Sequence, residues 1–244
     1  MNYSRLNVLT QQQLKELATK MDLPLSKNKD ELIKNISNAF REYENYKRNK
    51  ISKYTRVKQL GNKGKEGTTY LVTTRDGSEY AMKTFRKLKS SEKLKKESQL
   101  QKLVASVDAA PNVIDIDTVS KYIVMEKMDR HLIDVIEKQG GVLTKGQQKQ
   151  IIGIYKKMDE VNVFHADANL MNYMFKGKKM YIIDFGMAKE ITNSLIRKLG
   201  TSTPNIHIMT LGLVLKLKEL NFSAESYSYL INFLSDEQIR QFGI

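Results

Sequence analysis

The sequence predicts an α+β fold in which a small all-α module precedes a larger domain of mixed helix and strand. Two observations carry this prediction. Apolar residues recur at helical spacing through the first 40 residues. From residue 54 onward, short alternating strands follow one another between turn residues, and helical stripes return in the second half of the chain. A chain of 244 residues is long enough to bury a sizeable core.

The composition narrows the class of protein. The chain contains no cysteine, which excludes disulfides and zinc–thiolate sites. Because it has neither an 18-residue apolar run nor a signal-peptide core, we expect an intracellular protein (cytoplasm, nucleus or virion), neither secreted nor membrane-bound. The net charge is +14, and residues 1–60 hold 13 basic against 6 acidic side chains. This balance favours a polyanionic partner, with simple solubility as the alternative.

The first 45 residues predict two helices joined by an extended loop. Thr10 can cap the first helix, and Pro24 cannot continue it. Asn28 can cap the second helix, with Glu31 completing a capping box. Residues 9–36 resemble the SAP-type DNA-binding motif, although the glycine usual in its loop is absent. The resemblance implies binding to duplex DNA, and the candidate contacts are the lysines near the second helix start: Lys27, Lys29 and Lys34.

Two other functions remain open for this helix pair, a protein-docking hairpin and an inert cap. Any two-helix hairpin could share the apolar spacing, so the spacing alone does not decide among them. Residues 46–53 are strongly charged and poor in apolar side chains, and they predict a helical extension that fades into a linker. We therefore expect the domain boundary near residue 53.

The segment after this linker predicts strands around a glycine-rich turn. Gly61, Gly64 and Gly67 lie in the turn, where backbone N–H groups could approach phosphates without obstruction by a Cβ. Lys83 lies on the third strand, and a buried ammonium group needs an anionic partner. A helix and two more strands follow, which completes a predicted five-stranded sheet over residues 54–125.

Residues 165–186 contain three polar side chains suited to phosphoryl transfer. Asp167 and Asn172 lie five residues apart in a predicted loop. Two short apolar runs, separated by Lys-Gly-Lys-Lys, then predict a β-hairpin that returns Asp184 to the side of Asn172. A carboxylate and an amide oxygen placed in this way suit Mg²⁺. Asp167 is left to accept a proton from an attacking hydroxyl.

The same stretch resembles the catalytic loop and metal-binding motif of the eukaryotic-type protein kinase superfamily. Six positions carry the resemblance: His165, Asp167, Asn172, Asp184, Phe185 and Gly186. It implies a two-lobed kinase-like fold over residues 54–244, with the lobes meeting near residue 128. It also implies ATP and Mg²⁺ as cofactors.

The resemblance gives each candidate residue a role. Asp167 becomes the catalytic base, Lys83 holds the ATP phosphates against Glu97, and Asn172 and Asp184 hold the metal ions. The implied ATP-binding positions around the glycine turn and the adenine, besides Lys83, are Gly61, Gly64, Gly67, Thr69, Ala81, Met125, Glu126 and Met128. His165 and Phe185 are expected to pack beneath the site.

The helix predicted over residues 90–104 offers two glutamates as the partner of Lys83. Glu97 is preferred to Glu92 because its distance along the chain fits better. Leu100, which follows it, begins an apolar stripe that would hold this face of the helix against the core.

Several positions depart from the kinase pattern. Gly61 lies one residue too early, and Ala166 replaces the arginine that would pair with an activation-loop phosphate. Asn169 stands where serine/threonine kinases carry lysine and small-molecule kinases often carry histidine, so this loop does not decide whether a protein or a small molecule accepts the phosphate. No Ala-Pro-Glu follows the metal-binding motif, and His207 stands where the family has a structural aspartate. The short remainder of the chain predicts a reduced C-terminal lobe, which resembles atypical and virus-type small kinases.

The interpretation from sequence is an ATP- and Mg²⁺-dependent serine/threonine protein kinase that its N-terminal module recruits to DNA. One alternative is a small-molecule kinase of the same fold, which would share all of these residues. Another is a pseudokinase scaffold bound to DNA. The scaffold is disfavoured because Lys83, Asp167 and Asp184 are all present.

Overall fold

The computed structural model describes residues 6–51, 53–61, 64, 66–86 and 89–244. The chain divides into two compact units. The first comprises the N-terminal segment through Thr55 together with Thr73–Gly77, and the second comprises Arg56–Val72 and Ser78–Ile244.

Two helices form the N-terminal module, α1 (Gln11–Lys20) and α2 (Lys29–Ile51). Thr10 caps α1, because its hydroxyl accepts a hydrogen bond from the Gln13 N–H while the Gln13 side chain accepts one from the Thr10 N–H. The predicted cap of the first helix is therefore confirmed. The helices share one apolar core, formed by Leu6, Leu14, Ala18, Leu32, Ile33 and Ile36.

The start of α2 differs in one respect from the sequence prediction. Asn28 caps the helix as expected, and its Oδ1 accepts a hydrogen bond from the Asp30 N–H at 2.8 Å. The Glu31 carboxylate, however, accepts a hydrogen bond from the Ser26 hydroxyl at 2.5 Å. Ser26 Oγ also accepts from the Asn28 N–H at 3.0 Å. The capping box predicted between Asn28 and Glu31 is therefore wrong, because Ser26 takes the backbone donor that Glu31 would have used.

Helix α2 continues through the charged stretch as far as Ile51. The helical extension predicted for residues 46–53 therefore continues as far as residue 51. Lysine, arginine and glutamate favour helix, so a strongly charged composition does not by itself end one. None of the described helices combines the length and the apolar character needed to cross a membrane.

Five strands follow the module, and together they form one sheet. They are β1 (Thr55–Leu60), β2 (Gly67–Thr73), β3 (Glu79–Phe85), β4 (Val113–Asp117) and β5 (Tyr122–Glu126). Their order in the sheet is β1-β2-β3-β5-β4. Strands β3 and β5 pair antiparallel, which sets Ala81 opposite Met125 and Lys83 opposite Ile123. The predicted five-stranded sheet is confirmed.

Helix α3 (Ser91–Ser106) links the sheet to the rest of the domain. Ser90 caps it by accepting a hydrogen bond from the Lys93 N–H. Leu94 packs with Phe85 and Ile123 of the sheet, whereas Leu100 and Val104 belong to a larger core farther along the chain. The face of α3 that carries Glu97 is therefore buried between two apolar clusters.

A larger, mainly helical part follows the sheet. Its helices are α4 (Leu132–Lys138), α5 (Lys145–Glu160), α6 (Asn193–Leu199), α7 (Thr210–Glu219) and α8 (Asp236–Phe242). Its short strands are β6 (Arg130–His131), β7 (Val163–Phe164), β8 (Tyr173–Lys176), β9 (Lys179–Ile182) and β10 (Lys189–Glu190). Strands β8 and β9 form the predicted hairpin, with Tyr173 opposite Ile182.

The last described elements of the domain are short helices and turns. A π-helical turn over Asn205–Met209 runs directly into α7, and two 3₁₀ turns and α8 complete the chain. At Gly212 on α7, a Cβ would lie 3.0 Å from the Cβ of Ala168, so this helix packs closely against the loop that holds Asp167. The architecture confirms the predicted α+β fold, in which a small helical module precedes a larger domain built on an antiparallel sheet.

Gly67 is needed for the close approach of β2 to β3. A Cβ built at this position would lie 1.9 Å from the carbonyl oxygen of Thr84, and that atom belongs to the backbone. Gly67→Ala should therefore destabilise the domain by about 2 kcal/mol or more, as overpacking against an unyielding neighbour does. Urea unfolding of the purified chain measures the change.

Gly153→Ala is the matched control for this substitution. Gly153 lies inside α5, and a Cβ there would meet nothing within 4 Å. Alanine favours helix over glycine by up to about 1 kcal/mol, so this variant should be as stable as the parent or more so. Equal stability of the two variants would contradict the close approach at Gly67.

Candidate active site

Three charged side chains from three different elements meet beside the central strand of the sheet. Lys83 projects from β3, Glu97 from α3, and Asp184 from the segment after β9. The Lys83 ammonium lies 2.9 Å from Glu97 Oε1 and 2.7 Å from Asp184 Oδ1. The Glu97 side chain is 4 % exposed and that of Lys83 13 % exposed, whereas that of Asp184 is 48 % exposed. The buried cation thus has one enclosed partner and one partner open to solvent.

Burial and ion pairing act in opposite directions on the pKa values of this cluster. Burial alone would lower the pKa of Lys83, but the carboxylates of Glu97 and Asp184 outweigh it and raise that pKa above its usual value. Burial alone would raise the pKa of Asp184, but the Lys83 ammonium outweighs it and lowers that pKa. Lys83 is therefore charged and Asp184 ionised at neutral pH.

The backbone at Asp184 is left-handed, with φ 66° and ψ 74°. Aspartate tolerates this region better than most residues, although it still carries a conformational cost. The Gly186 N–H donates to Asp184 Oδ1 at 3.4 Å, which helps to hold the turn. This conformation directs the carboxylate toward Lys83 immediately after the β8–β9 hairpin ends.

The loop between β7 and β8 brings Asp167 and Asn172 together. A 3₁₀ turn over Leu170–Asn172 begins where the Asn169 side chain accepts a hydrogen bond from the Met171 N–H. Asn172 Nδ2 donates to Asp167 Oδ2 at 2.9 Å and to the Asp167 carbonyl at 3.2 Å. The Asn172 carbonyl accepts from the Ile183 N–H at 2.8 Å, next to Asp184. The hairpin thus places all three polar side chains in one neighbourhood.

His165 supports this loop from beneath. The side chain is fully buried, its Nε2 lies 3.0 Å from the Ile183 carbonyl, and its Nδ1 lies 3.2 Å from the Asp167 carbonyl. The ring also meets Phe185 edge to face at 5.2 Å. Burial lowers the pKa of His165 more than the carbonyls and nearby carboxylates raise it. A neutral, packed imidazole suits the supporting role expected from the sequence.

A buried amide anchors the loop to the helical core. Asn205 Oδ1 accepts a hydrogen bond from the His165 N–H at 3.1 Å, and its Nδ2 donates to Asp159 Oδ1 and to the Val163 carbonyl, each at 2.7 Å. Burial raises the pKa of Asp159 more than these hydrogen bonds lower it. His207, placed at this structural position from the sequence, is exposed and bonds to Thr201. That assignment was wrong, because the buried anchor comes two residues earlier.

The family model for the protein kinase domain matches residues 54–205. The chain belongs to the protein kinase family. The match supports phosphotransferase activity in general and implies a protein substrate. A search of curated proteins found no match.

The three glycines of the glycine-rich turn in the kinase domain differ in their backbone conformation and contacts. Gly61 has a φ of +64°, which favours glycine. The Gly64 N–H donates to the Gly67 carbonyl at 2.9 Å. Gly67 itself begins β2 and is required by the packing of that strand, as shown above. Thr69, two residues on, is half-buried on the same strand.

The positions expected around the adenine lie on β3, on β5 and just after it. Ala81 and Met125 face each other across the strand pair, and Met128 is 8 % exposed. Glu126 ends β5, where its carboxylate accepts hydrogen bonds from Lys176 and Asn112. Burial alone would raise the pKa of Glu126, but these donors outweigh it and lower that pKa.

Two charged residues of the kinase domain were missed from the sequence. Lys89, in the loop before α3, contacts Glu97 Oε2 and lies 2.8 Å from Glu66 Oε2. Glu66 precedes the third glycine of the turn, and its carboxylate lies 4.0 Å from the Lys83 ammonium. Both residues read as ordinary surface charges in the sequence, which gave no signal of their pairing.

The candidate DNA-binding lysines lie in the other compact unit. Lys27, Lys29 and Lys34 are all exposed around the first turns of α2. Lys29 Nζ donates to the Asn7 carbonyl at 3.1 Å, and the Lys27 carbonyl accepts from the Gln11 side chain. The Lys29 ammonium is thus partly used on the backbone of this module, although its side chain remains exposed.

Asn205→Ala should destabilise the kinase domain by about 2–4 kcal/mol, since it removes partners from Asp159 and from the His165 N–H while both stay buried. His207→Ala is the matched control at the position that the sequence favoured, and it should cost less than about 1 kcal/mol. Thermal and urea unfolding measure both changes. A larger loss for the histidine variant would overturn the anchor assigned to Asn205.

Proposed function

We propose that the chain is an ATP- and Mg²⁺-dependent protein kinase that phosphorylates serine and threonine hydroxyls. The observation that carries the proposal is the Lys83 ammonium held between Glu97 and Asp184, beside the hydrogen-bonded pair of Asp167 and Asn172. Kinase catalysis rests mainly on positioning and on neutralisation of phosphate charge, and these side chains supply both.

Asp167 is the proposed base for the acceptor hydroxyl. The acceptor oxygen attacks the γ-phosphorus of ATP, a new O–P bond forms, and the bond from that phosphorus to the ADP oxygen breaks. The hydroxyl proton passes to the Asp167 carboxylate. Because Asn172 occupies Asp167 Oδ2, the other oxygen is the one that would receive this proton.

Lys83 is proposed to bind the phosphates of the nucleotide. Its ammonium already lies at hydrogen-bonding distance from two carboxylates, so it is charged and oriented before any nucleotide arrives. Glu97 holds it from the buried side, while the exposed Asp184 leaves the solvent side accessible. This arrangement positions a cation without the cost of ordering a free lysine side chain.

The donors around Asp184 fit Mg²⁺. Asp184 offers carboxylate oxygens, and Asn172 offers its amide oxygen, because its amide nitrogen is used on Asp167. Hard cations prefer such oxygen ligands and usually share them with a substrate phosphate. A bound Mg²⁺ would neutralise charge that develops on the phosphates during transfer.

The N-terminal module is proposed to recruit the kinase to duplex DNA. Its two packed helices match the helix–loop–helix expected from the SAP-like pattern, and the exposed lysines cluster where α2 begins. Backbone N–H groups at a helix start add to the attraction for phosphate. The two alternative functions are a kinase that phosphorylates small molecules and a pseudokinase scaffold bound to DNA. The transfer assays distinguish both from a protein kinase.

Asp167 and Asp184 should contribute to catalysis in distinguishable ways. Asp167→Asn should leave ATP binding close to that of the parent while turnover falls by roughly 10²–10⁴, the usual contribution of a positioned base. Asp184→Ala removes a metal ligand, so it should weaken nucleotide binding specifically when Mg²⁺ is present. Transfer of γ-labelled phosphate to a protein panel, beside nucleotide titrations with and without Mg²⁺, measures both.

Unchanged transfer rates in both variants would refute the assigned mechanism. Transfer to small acceptors but to no protein would redirect the assignment to a small-molecule kinase. A parent chain that transfers no phosphate to any acceptor would leave the scaffold function instead.

Binding of the full chain to duplex DNA should depend on Lys27, Lys29 and Lys34. Three phosphate contacts give a slope of roughly −3 for log K against log salt, since each contributes about 0.9. Changing all three lysines to glutamate should abolish binding while phosphorylation of a free peptide continues. Fluorescence anisotropy across a salt series measures the affinity.

The matched control reverses the same number of charges elsewhere on the surface. Three exposed lysines of the kinase domain serve for this purpose: Lys102, Lys145 and Lys178. Their replacement by glutamate should weaken binding only slightly, because the net charge changes but the proposed contacts remain. Equal losses in the two triple variants would show that net charge alone attracts DNA, and no binding at low salt would favour protein docking.

A further inference from the structure

Glu97 is shared between two lysines. Its Oε1 lies 2.9 Å from the Lys83 ammonium, and its Oε2 contacts the Lys89 ammonium. Both ammonium groups also lie over the Phe85 ring, at 5.0 Å for Lys83 and 4.4 Å for Lys89. Two cations are therefore held side by side against one buried carboxylate and one aromatic face.

Lys89 is fixed as firmly as Lys83. Its side chain is 10 % exposed, against 13 % for that of Lys83. Its backbone N–H donates to the Arg86 carbonyl at 3.0 Å, and its carbonyl accepts a hydrogen bond from the Lys121 ammonium. A lysine held at both its backbone and its head group is oriented in advance for an anionic ligand.

The anion that Lys89 faces on the open side is Glu66. Glu66 Oε2 lies 2.8 Å from the Lys89 ammonium and 4.0 Å from that of Lys83. The same oxygen lies 2.7 Å from the point where a Cβ on Gly186 would be. It therefore occupies the space between the glycine-rich turn, the two lysines and the segment after Asp184.

Among the residues that the structure describes, the charges of this cluster are not balanced. One oxygen from each of Glu66, Glu97 and Asp184 lies within 4.8 Å of the others, so three carboxylates face two ammonium groups. Of the two carboxylates that pair with Lys89, Glu66 is the more dispensable, because its side chain is 47 % exposed while that of Glu97 is 4 % exposed. An exposed ion pair is weak, and a phosphate with greater charge can replace it.

We propose, on the basis of the function proposed above, that Lys89 is a second phosphate-binding lysine of the active site and that Glu66 occupies its phosphate position until nucleotide binds. When ATP enters, the Glu66 carboxylate leaves and a phosphate oxygen takes its place on Lys89. Glu97 stays bonded to both lysines and keeps the two ammonium groups apart by the width of one carboxylate. No covalent step is involved.

Three variants of the full chain test the proposal: Lys89→Met, Glu66→Gln and, as matched control, Lys96→Met on the exposed face of α3. Isothermal titration with ATP and with adenosine measures affinity. Lys89→Met should weaken ATP binding by roughly ten- to a hundredfold, the usual loss of a charged hydrogen bond, and leave adenosine binding unchanged. Glu66→Gln should tighten ATP binding, also without effect on adenosine. Lys96→Met should match the parent.

The opposite signs expected at Lys89 and Glu66 separate ligand binding from a merely structural role. Lys89→Arg should recover part of the ATP affinity, because it retains the positive charge. The proposal is overturned if Lys89→Met binds ATP like Lys96→Met, if it weakens ATP and adenosine equally, or if Glu66→Gln weakens ATP binding.

Lys83→Met shows which of the two proposals fails. If the parent binds ATP and Lys83→Met loses it while Lys89→Met does not, only the second lysine is refuted and the proposed kinase function stands. If the parent binds no ATP, both the kinase function and the role of Lys89 are refuted.

Discussion

A positive charge buried on an inner β-strand of the sheet is the constraint on which the site depends. Lys83 is satisfied only when α3 presents Glu97 and the segment after β9 presents Asp184. Removal of either carboxylate would leave a buried cation under-compensated, which costs far more than the loss of an exposed pair. One side chain therefore ties a sheet, a helix and a hairpin to a single arrangement.

The loop that carries Asp167 is also held by buried polar groups, which connect it to the helical core. Asn205 connects the His165 N–H to Asp159, and all three residues are buried. The loop is thus held through its backbone rather than through the charges that would do chemistry. Asp167 is half-buried and Asn172 is buried, and the buried polar groups beneath the loop hold both in position.

Local patterns predicted most of the fold, because strand alternation, caps and turn residues act over a few positions. The β8–β9 hairpin and the Thr10 cap are examples. The site was predictable only where a motif placed its parts at known spacing. Asn205 and Asp159 lie 46 residues apart and Lys89 and Glu66 lie 23 apart, and neither pair follows any local pattern. Such long-range pairings arise from tertiary packing, which the local patterns of a sequence do not reveal.

Because β2 and β3 approach so closely at Gly67, the presence of a glycine at this position does not indicate that a related chain binds nucleotide. Any relative with the same strand spacing needs a glycine there, whether or not it still binds nucleotide, because the Thr84 carbonyl leaves no room for a Cβ. Selection for stability alone would preserve it. Lys83, Glu97 and Asp184 behave differently: the loss of one of them is costly, but replacement of the whole cluster by well-packed apolar side chains can be neutral or even stabilising once the charges are unused. In this lineage, retained charges are therefore a better record of activity than retained glycines.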